Sequence, residues 1–202
     1  MTNIDTAVIH ECARISWPGR MSDMLATGAK KAAEDWFGDN VQLANMKCIK
    51  SQAAYDVWHK KAVSKLAQAL GEYVNEFPSV KKQRKKVNSK RSPYQSEPIA
   101  AKLVDTFMHQ LVKYPPFHGL YGYLHLPIDE IVRARLQEWR DTHFSGCQDI
   151  LGCNVYTISY AEHMMIQERL WDLVDGEFEG CQEDFGRSRV WLNAPLWADR
   201  RL

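Results

Sequence analysis

The stretch SQAAYDVWHKKAVSKLAQALGEYVNEF, residues 51–77, decides the fold class of this chain. Tyr55, Trp58, Ala62, Leu66, Leu70, Tyr73 and Phe77 recur at alternating three- and four-residue steps, which is the repeat of one apolar stripe on an α-helix. The spacing predicts a helix from about Ser51 to Glu76, closed by Pro78. A second helix follows the turn at Ser92-Pro93-Tyr94-Gln95. Ser96 is its expected N-cap, Pro98 sits where a missing N–H costs nothing, and Ile99, Leu103, Phe107 and Leu111 form one face. Ala100, Val104, Met108 and Val112 broaden that face.

Between these helices lies Lys81-Lys82-Gln83-Arg84-Lys85-Lys86-Val87-Asn88-Ser89-Lys90-Arg91, seven cations in eleven residues with no acid. The whole chain has a formal charge of only +1, so the rest of it sums to −6. The connection, residues 78–95, exceeds the ~12–15 residues beyond which loops tend to be functional or disordered.

Upstream, Ile4, Val8, Cys12 and Ile15 are spaced as one helical face, and Trp17-Pro18-Gly19 reads as a turn. Ser22 is the expected cap of a next helix bearing Leu25, Ala29, Ala32 and Trp36, with Gly38 as its stop. A further helix fits Val41 to Ile49. Downstream, the Pro- and Gly-rich stretch Tyr114 to Pro127 reads as irregular, and Ile128, Ile131, Val132, Leu136 and Trp139 mark an amphipathic helix. Asn154 to Ile158 reads as a short strand and Arg187 to Leu192 as extended. Ser159-Tyr160-Ala161-Glu162 is a capping box that opens a helix running to about Val174.

The expected fold is therefore mainly α. It is a single-domain helical bundle over residues 1–202, with a long basic loop between two core helices and a short strand pair near the C-terminus. With 45% apolar and 25% charged residues, the composition is that of a soluble globular protein. No apolar run approaches the ~20 residues that span a bilayer, and no secretory signal opens the chain, so no membrane partner and a cytoplasmic location are expected. Five cysteines without a Cys-x-x-Cys pair read as free thiols.

The basic run points to a polyanion. Lys81, Lys82, Arg84, Lys85, Lys86, Lys90 and Arg91 are the expected phosphate contacts to DNA or RNA, and the adjoining Tyr94 is a ring on which a base can stack. Phe117, Tyr121 and Tyr123 either extend such a groove or plug the end of the helical core. The expected function is nucleic-acid binding without catalysis. The alternative is a protein-interaction or inhibitor module, or a homo-oligomer contact, on the acidic surface of Glu168, Asp172, Asp175, Glu177 and Glu179. A third reading is a ribonuclease with His118 or His125 beside the loop cations.

No phosphate-binding loop, dinucleotide fingerprint, zincin helix or nucleophile elbow is present. His118, His125, His143, Cys147 and Cys153 are the candidate metal ligands, but their irregular spacing argues against a site, so no metal and no cofactor is expected. Cys12 fits a core stripe better than a catalytic role beside His10 and Glu11. His109 reads as a flank residue. Glu162 and His163 are adjacent, and their side chains do not converge.

Overall fold

A computed structural model describes residues 3–17, 25–74, 95–143 and 157–177. They form α1 (Asn3–Ile15), α2 (Ala29–Asn40), α3 (Leu43–Lys47), α4 (Gln52–Leu70), α5 (Ser96–Leu111), α6 (Glu130–His143) and α7 (Tyr160–Glu177). Two 3-10 segments, Gly71–Tyr73 and Pro115–Tyr123, follow α4 and α5. The fold is mainly helical, with no strand among the described residues and one isolated antiparallel bridge between Leu25 and Val74. Of the expected strand pair, Asn154–Tyr156 and Arg187–Leu192 lie outside the described residues. Thr157 and Ile158 are not in a strand.

The centre of the molecule is the contact between α4 and α5. Ser51 caps α4 by accepting the Ala54 N–H at 3.2 Å, and Tyr55, Ala62, Val63, Leu66 and Leu70 are buried along the helix. Its stripe follows the sequence pattern, but the helix closes six residues early. The Gly71 N–H bonds the carbonyl of Gln68, three residues back, and the chain tightens into the 3-10 turn. Across from it, Ile99, Leu103, Phe107 and Leu111 and their neighbours Ala100, Val104 and Met108 are all buried, as the spacing predicts. Each such large side chain contributes about 1.5–3 kcal/mol by leaving water. Ser96 is not the cap of α5. It is the first helical residue, and extended Gln95 precedes it without a side-chain bond.

α1 packs on both α5 and α2, and α2 packs in turn on α4. The rings of Phe37 and Phe107 stack at 4.3 Å and nearly parallel, fastening α2 to α5. The inner face of α1 is Ile9, Cys12 and Ala13, continued by Ser16 just past its end, and Ile15 points outward. Of the expected face, Cys12 is buried and Val8 packs half-buried on the core, whereas Ile15 is exposed; the side chain of Ile4 is outside the described part. α2 begins at Ala29, not after Ser22, which lies outside the described residues. Leu25 and Ala26 are instead held by the end of the α4 region: Leu25 bridges Val74, and the Ala26 N–H donates to the Tyr73 carbonyl at 2.7 Å. Gly28 then turns the chain into α2 with φ +98°, where a Cβ would also meet the Tyr73 ring at 3.3 Å. Gly38 does not stop α2. Its backbone stays helical to Asn40, and its missing Cβ admits the His10 ring of α1.

α3 is separate from α4, divided by the cap at Ser51. The stretch after α5 is more ordered than its composition suggests. Pro115–Tyr123 winds as a 3-10 segment, Phe117 and Leu120 are buried, and Tyr121 and Tyr123 pack half-buried on the core. These rings therefore plug the core. Asp129 opens α6 by accepting the N–H groups of Ile131 and Val132, each at 3.0 Å, while buried Lys102 of α5 stands 3.5 Å from its other oxygen. The capping box of α7 is formed as expected: Glu162 accepts the Ser159 N–H at 2.6 Å, and Ser159 Oγ accepts the Glu162 N–H at 3.3 Å. No described helix is long and apolar enough to cross a membrane.

Candidate metal centre

Four elements bring one polar side chain each to the same point in this apolar interior. α4 supplies His59, α5 supplies Asp105, the segment between the second 3-10 turn and α6 supplies His125, and α7 supplies His163. His59, Asp105 and His125 are wholly inaccessible, and His163 is 3% exposed. One nitrogen or oxygen from each lies within 4.8 Å of the others. The imidazoles of His59 and His125 approach to 4.3 Å between centroids, and those of His59 and His163 lie nearly parallel at 5.9 Å.

Local sequence explains each placement. His59 follows Tyr55 by one turn and precedes Ala62 and Val63, so it stands on the buried face of α4. α5 is buried on every side from Pro98 to Asp105, which carries Asp105 inside with its apolar neighbours. His125 sits on non-helical backbone, and two side chains hold that backbone in place. The Gln167 amide of α7 accepts the Leu126 N–H at 2.9 Å and donates to the Leu126 carbonyl at 2.8 Å. His109 of α5 donates from Nε2 to the His125 carbonyl at 2.8 Å. His163 is one turn inside the capped start of α7, where the Tyr160 N–H also donates to Glu97 of α5 at 3.0 Å.

The hydrogen bonds order the cluster into an inner and an outer layer. Inside, His59 Nε2 and Asp105 Oδ1 are 2.9 Å apart, and His163 Nε2 is 3.7 Å from Asp105 Oδ2. On the outside, His59 Nδ1 meets the Tyr160 hydroxyl at 2.9 Å, and His125 Nε2 donates to Asp56 Oδ1 at 2.8 Å. Asp56 in turn accepts from Gln52 at 2.7 Å. A lone buried carboxylate costs several kcal/mol; Asp105 has two imidazoles beside it. Burial, and then the charges of Asp105, Asp56 and Glu97, push the Tyr160 hydroxyl up from its usual range, so it remains a protonated partner at neutral pH. Burial pushes His109 down, consistent with a neutral ring that donates one N–H to the main chain.

Such an arrangement suits a metal ion. Ligand atoms about 2.0–2.1 Å from a tetrahedral ion stand about 3.3 Å from one another, and the Asp105 contacts of 2.9 and 3.7 Å bracket that value. Metal-bound histidines regularly give their outer N–H to a carboxylate or similar acceptor, which turns the inner nitrogen toward the ion. Asp56 stands in that position behind His125, and Tyr160 behind His59.

Of the five ligand candidates named from sequence, His125 alone is in this cluster. His118 is exposed, with Nε2 3.4 Å from the Lys113 carbonyl; His143 falls in the last turn of α6; Cys147 and Cys153 lie outside the described residues. Glu162 and His163 do not converge, as expected, since Glu162 caps the helix while His163 turns inward. The sequence pattern does not single out His59 and Asp105, although both occupy buried positions of clearly apolar helix patterns. His109 is not a flank residue, because it braces the main chain at His125.

The residues expected to contact phosphates, Lys81, Lys82, Arg84, Lys85, Lys86, Lys90 and Arg91, with Tyr94, lie outside the described residues. On the acidic surface, Glu168 and Asp172 are exposed, and Asp172 pairs with Arg169 at 3.2 Å. Asp175 and Glu177 fall in the last turn of α7, and Glu179 lies outside the described residues. Comparison with protein-family models, curated proteins and solved structures finds no match.

Proposed function

We propose that this chain is a metal-binding protein in which His59, His125, His163 and Asp105 hold one divalent transition ion, Zn²⁺ first among them. The observation that carries the proposal is the convergence of these four buried donors within 4.8 Å, with two of the imidazoles backed by Asp56 and Tyr160. Imidazole donors in a tetrahedral shell favour zinc. Three neutral imidazoles and one carboxylate leave a net charge of +1 on the loaded centre, a modest charge to bury. His59 offers Nε2, His163 offers Nε2, and His125 offers Nδ1, since its Nε2 faces Asp56. To hold the ion through Nε2, His59 would carry its proton on Nδ1, where the Tyr160 oxygen can accept it. Four protein ligands complete a tetrahedral shell, so the ion is structural and fastens α4, α5, α7 and the His125 segment together.

The test is metal analysis of untagged protein, purified without chelator and then loaded with zinc and dialysed. One equivalent of zinc per chain is expected, with cobalt loading giving the intense visible bands of a tetrahedral site. Asp105→Asn keeps the side chain's volume and removes its charge, and should abolish both signals. Wild-type protein that retains no zinc after loading and shows no tetrahedral cobalt spectrum overturns the proposal, whatever the variant does.

A second reading is favoured by the charge distribution. A segment of +7 in a chain otherwise at −6 supports non-catalytic binding of nucleic acid, with phosphates on Lys81, Lys82, Arg84, Lys85, Lys86, Lys90 and Arg91 and a base on Tyr94. The two readings are compatible, one describing the interior and the other the surface. The ribonuclease reading loses its His125, which is enclosed in the core.

A further inference from the structure

A cleft of about 240 Å³ opens where α2, α3 and α4 meet. Trp36 and Trp58 line it, both half-buried, and Val41, Met46 and Ala62 are its buried apolar members. Lys61 and Lys65 complete it on the α4 side. Both are exposed and neither is in an ion pair among the described residues, and no acid lines the cleft.

We propose that this cleft is a binding site for single-stranded nucleic acid, in which one base stacks on Trp36 or Trp58 and neighbouring phosphates engage Lys61 and Lys65. It deepens the nucleic-acid reading by giving it a base-binding surface, and it rests on that reading. The cleft is smaller than the ~300–1,000 Å³ of a pocket that encloses a drug-sized ligand, so it suits a single ring entering from an open side. Aromatic platforms bind unstacked bases of any sequence, and bases inside a duplex are not available to them. Lys61 and Lys65 are one turn apart, about 6 Å along the helix axis, so a strand running along α4 would meet them in succession. Asn40 and Asn45 are held at the rim by their own Nδ2 groups, which donate to the Trp36 carbonyl and to Gln42 at 2.9 Å each. With Nδ2 so engaged, the amide oxygen is the acceptor each can offer a base, whether to an exocyclic amine or to the N3–H of thymine. Charge also sets the direction. Asp35, next to Trp36, is paired with Lys31, and Asp39, next to Asn40, is exposed and repels an anion on that side. The phosphates therefore run on the α4 side and the base points toward α2.

The experiment measures anisotropy of a labelled oligothymidylate and of a duplex of equal length across a salt series. It compares wild type, Lys61→Gln/Lys65→Gln, Trp58→Leu, and a variant with the seven cations of residues 81–91 changed to Gln. The lysine pair is exposed, so its removal leaves the fold intact. It should weaken single-strand binding about tenfold and reduce the salt slope by about 1.4, for two phosphates. Trp58→Leu should weaken single-strand binding by about tenfold and leave duplex binding unchanged. Cleft variants that bind like wild type while the run variant loses affinity overturn the cleft and leave the nucleic-acid reading standing. Absence of wild-type binding at low salt overturns both. Full competition by adenosine monophosphate or by polyglutamate, at equal concentration of binding units, overturns the assignment to a strand in favour of a free nucleotide or an acidic peptide.

Discussion

Cys12 lies on the inner face of α1 at 1% exposure, and burial, followed by the charge of Glu11, pushes its thiol up to about 11. Cys48 is exposed at the end of α3. Their reactivities should therefore separate. In native protein at pH 8, mass mapping after brief alkylation should find Cys48 modified and Cys12 intact, and unfolding should make both reactive. The same shift has a consequence for stability. The folded state keeps the Cys12 proton to higher pH than the unfolded chain does, so the contribution is fully present below about pH 9 and is lost as pH rises to about 11. Melting temperature should fall over that window, and Cys12→Ala should flatten this part of the profile. An unchanged slope in the variant would place the alkaline loss elsewhere, with Tyr160 the next group whose protonated form is favoured by folding.

Among the elements, α7 shows how much a few residues can settle. The pattern Ser159-x-x-Glu162 gives both the start of the helix and the reciprocal bonds that satisfy its first N–H groups. Ser159→Ala should cost about 1 kcal/mol, read as a drop of roughly 2–4 °C in melting temperature for a chain of this size. The faces of α4 and α5 were equally legible, because their apolar residues repeat at the helical period. The full inner face of α1 and the start of α2 were not. Both depend on contacts made across the fold: α1 is turned by its packing on α2 and α5, and Leu25 is drawn into a bridge with Val74. The centre was hidden for a related reason. His59 and Asp105 are single polar residues inside apolar patterns, and Glu162 beside His163 drew attention to the helix cap. The signal that was available lies in α5, whose apolar residues surround the helix. A helix buried on all sides obliges any acid within it to find a partner.

At the level of the whole molecule, the proposed ion would add one shared tie to elements already joined by packing and by hydrogen bonds such as those of Gln167 to Leu126 and His125 to Asp56. Binding to the folded state alone stabilises it by mass action, about 2.7 kcal/mol at a free concentration of 100 times Kd. Zinc should raise the melting temperature by roughly 5–10 °C over chelator-treated protein, with Asp105→Asn insensitive to either treatment. Because imidazoles must shed protons to coordinate, the zinc-dependent part of this shift should shrink as pH falls toward 5. A melting temperature indifferent to zinc and chelator at pH 7.5 would refute the structural role.

His59 precedes Asp105 by 46 residues and Tyr160 by 101. No short peptide of this chain carries the donors together, unlike the compact ligand spacings of zinc fingers. The ion therefore cannot serve as a nucleus for folding. The chain would have to close its long loops and assemble its core first, and the proposed metal would arrive last, through a transient opening of the finished interior. Acquisition should be slow and first order, its rate set by how often that interior opens and independent of zinc concentration once zinc is in excess. Once seated, the ion leaves by the same infrequent opening, so the protein would hold its metal through dilution and brief exposure to a chelator: a kinetic lock made by the order in which the parts come together.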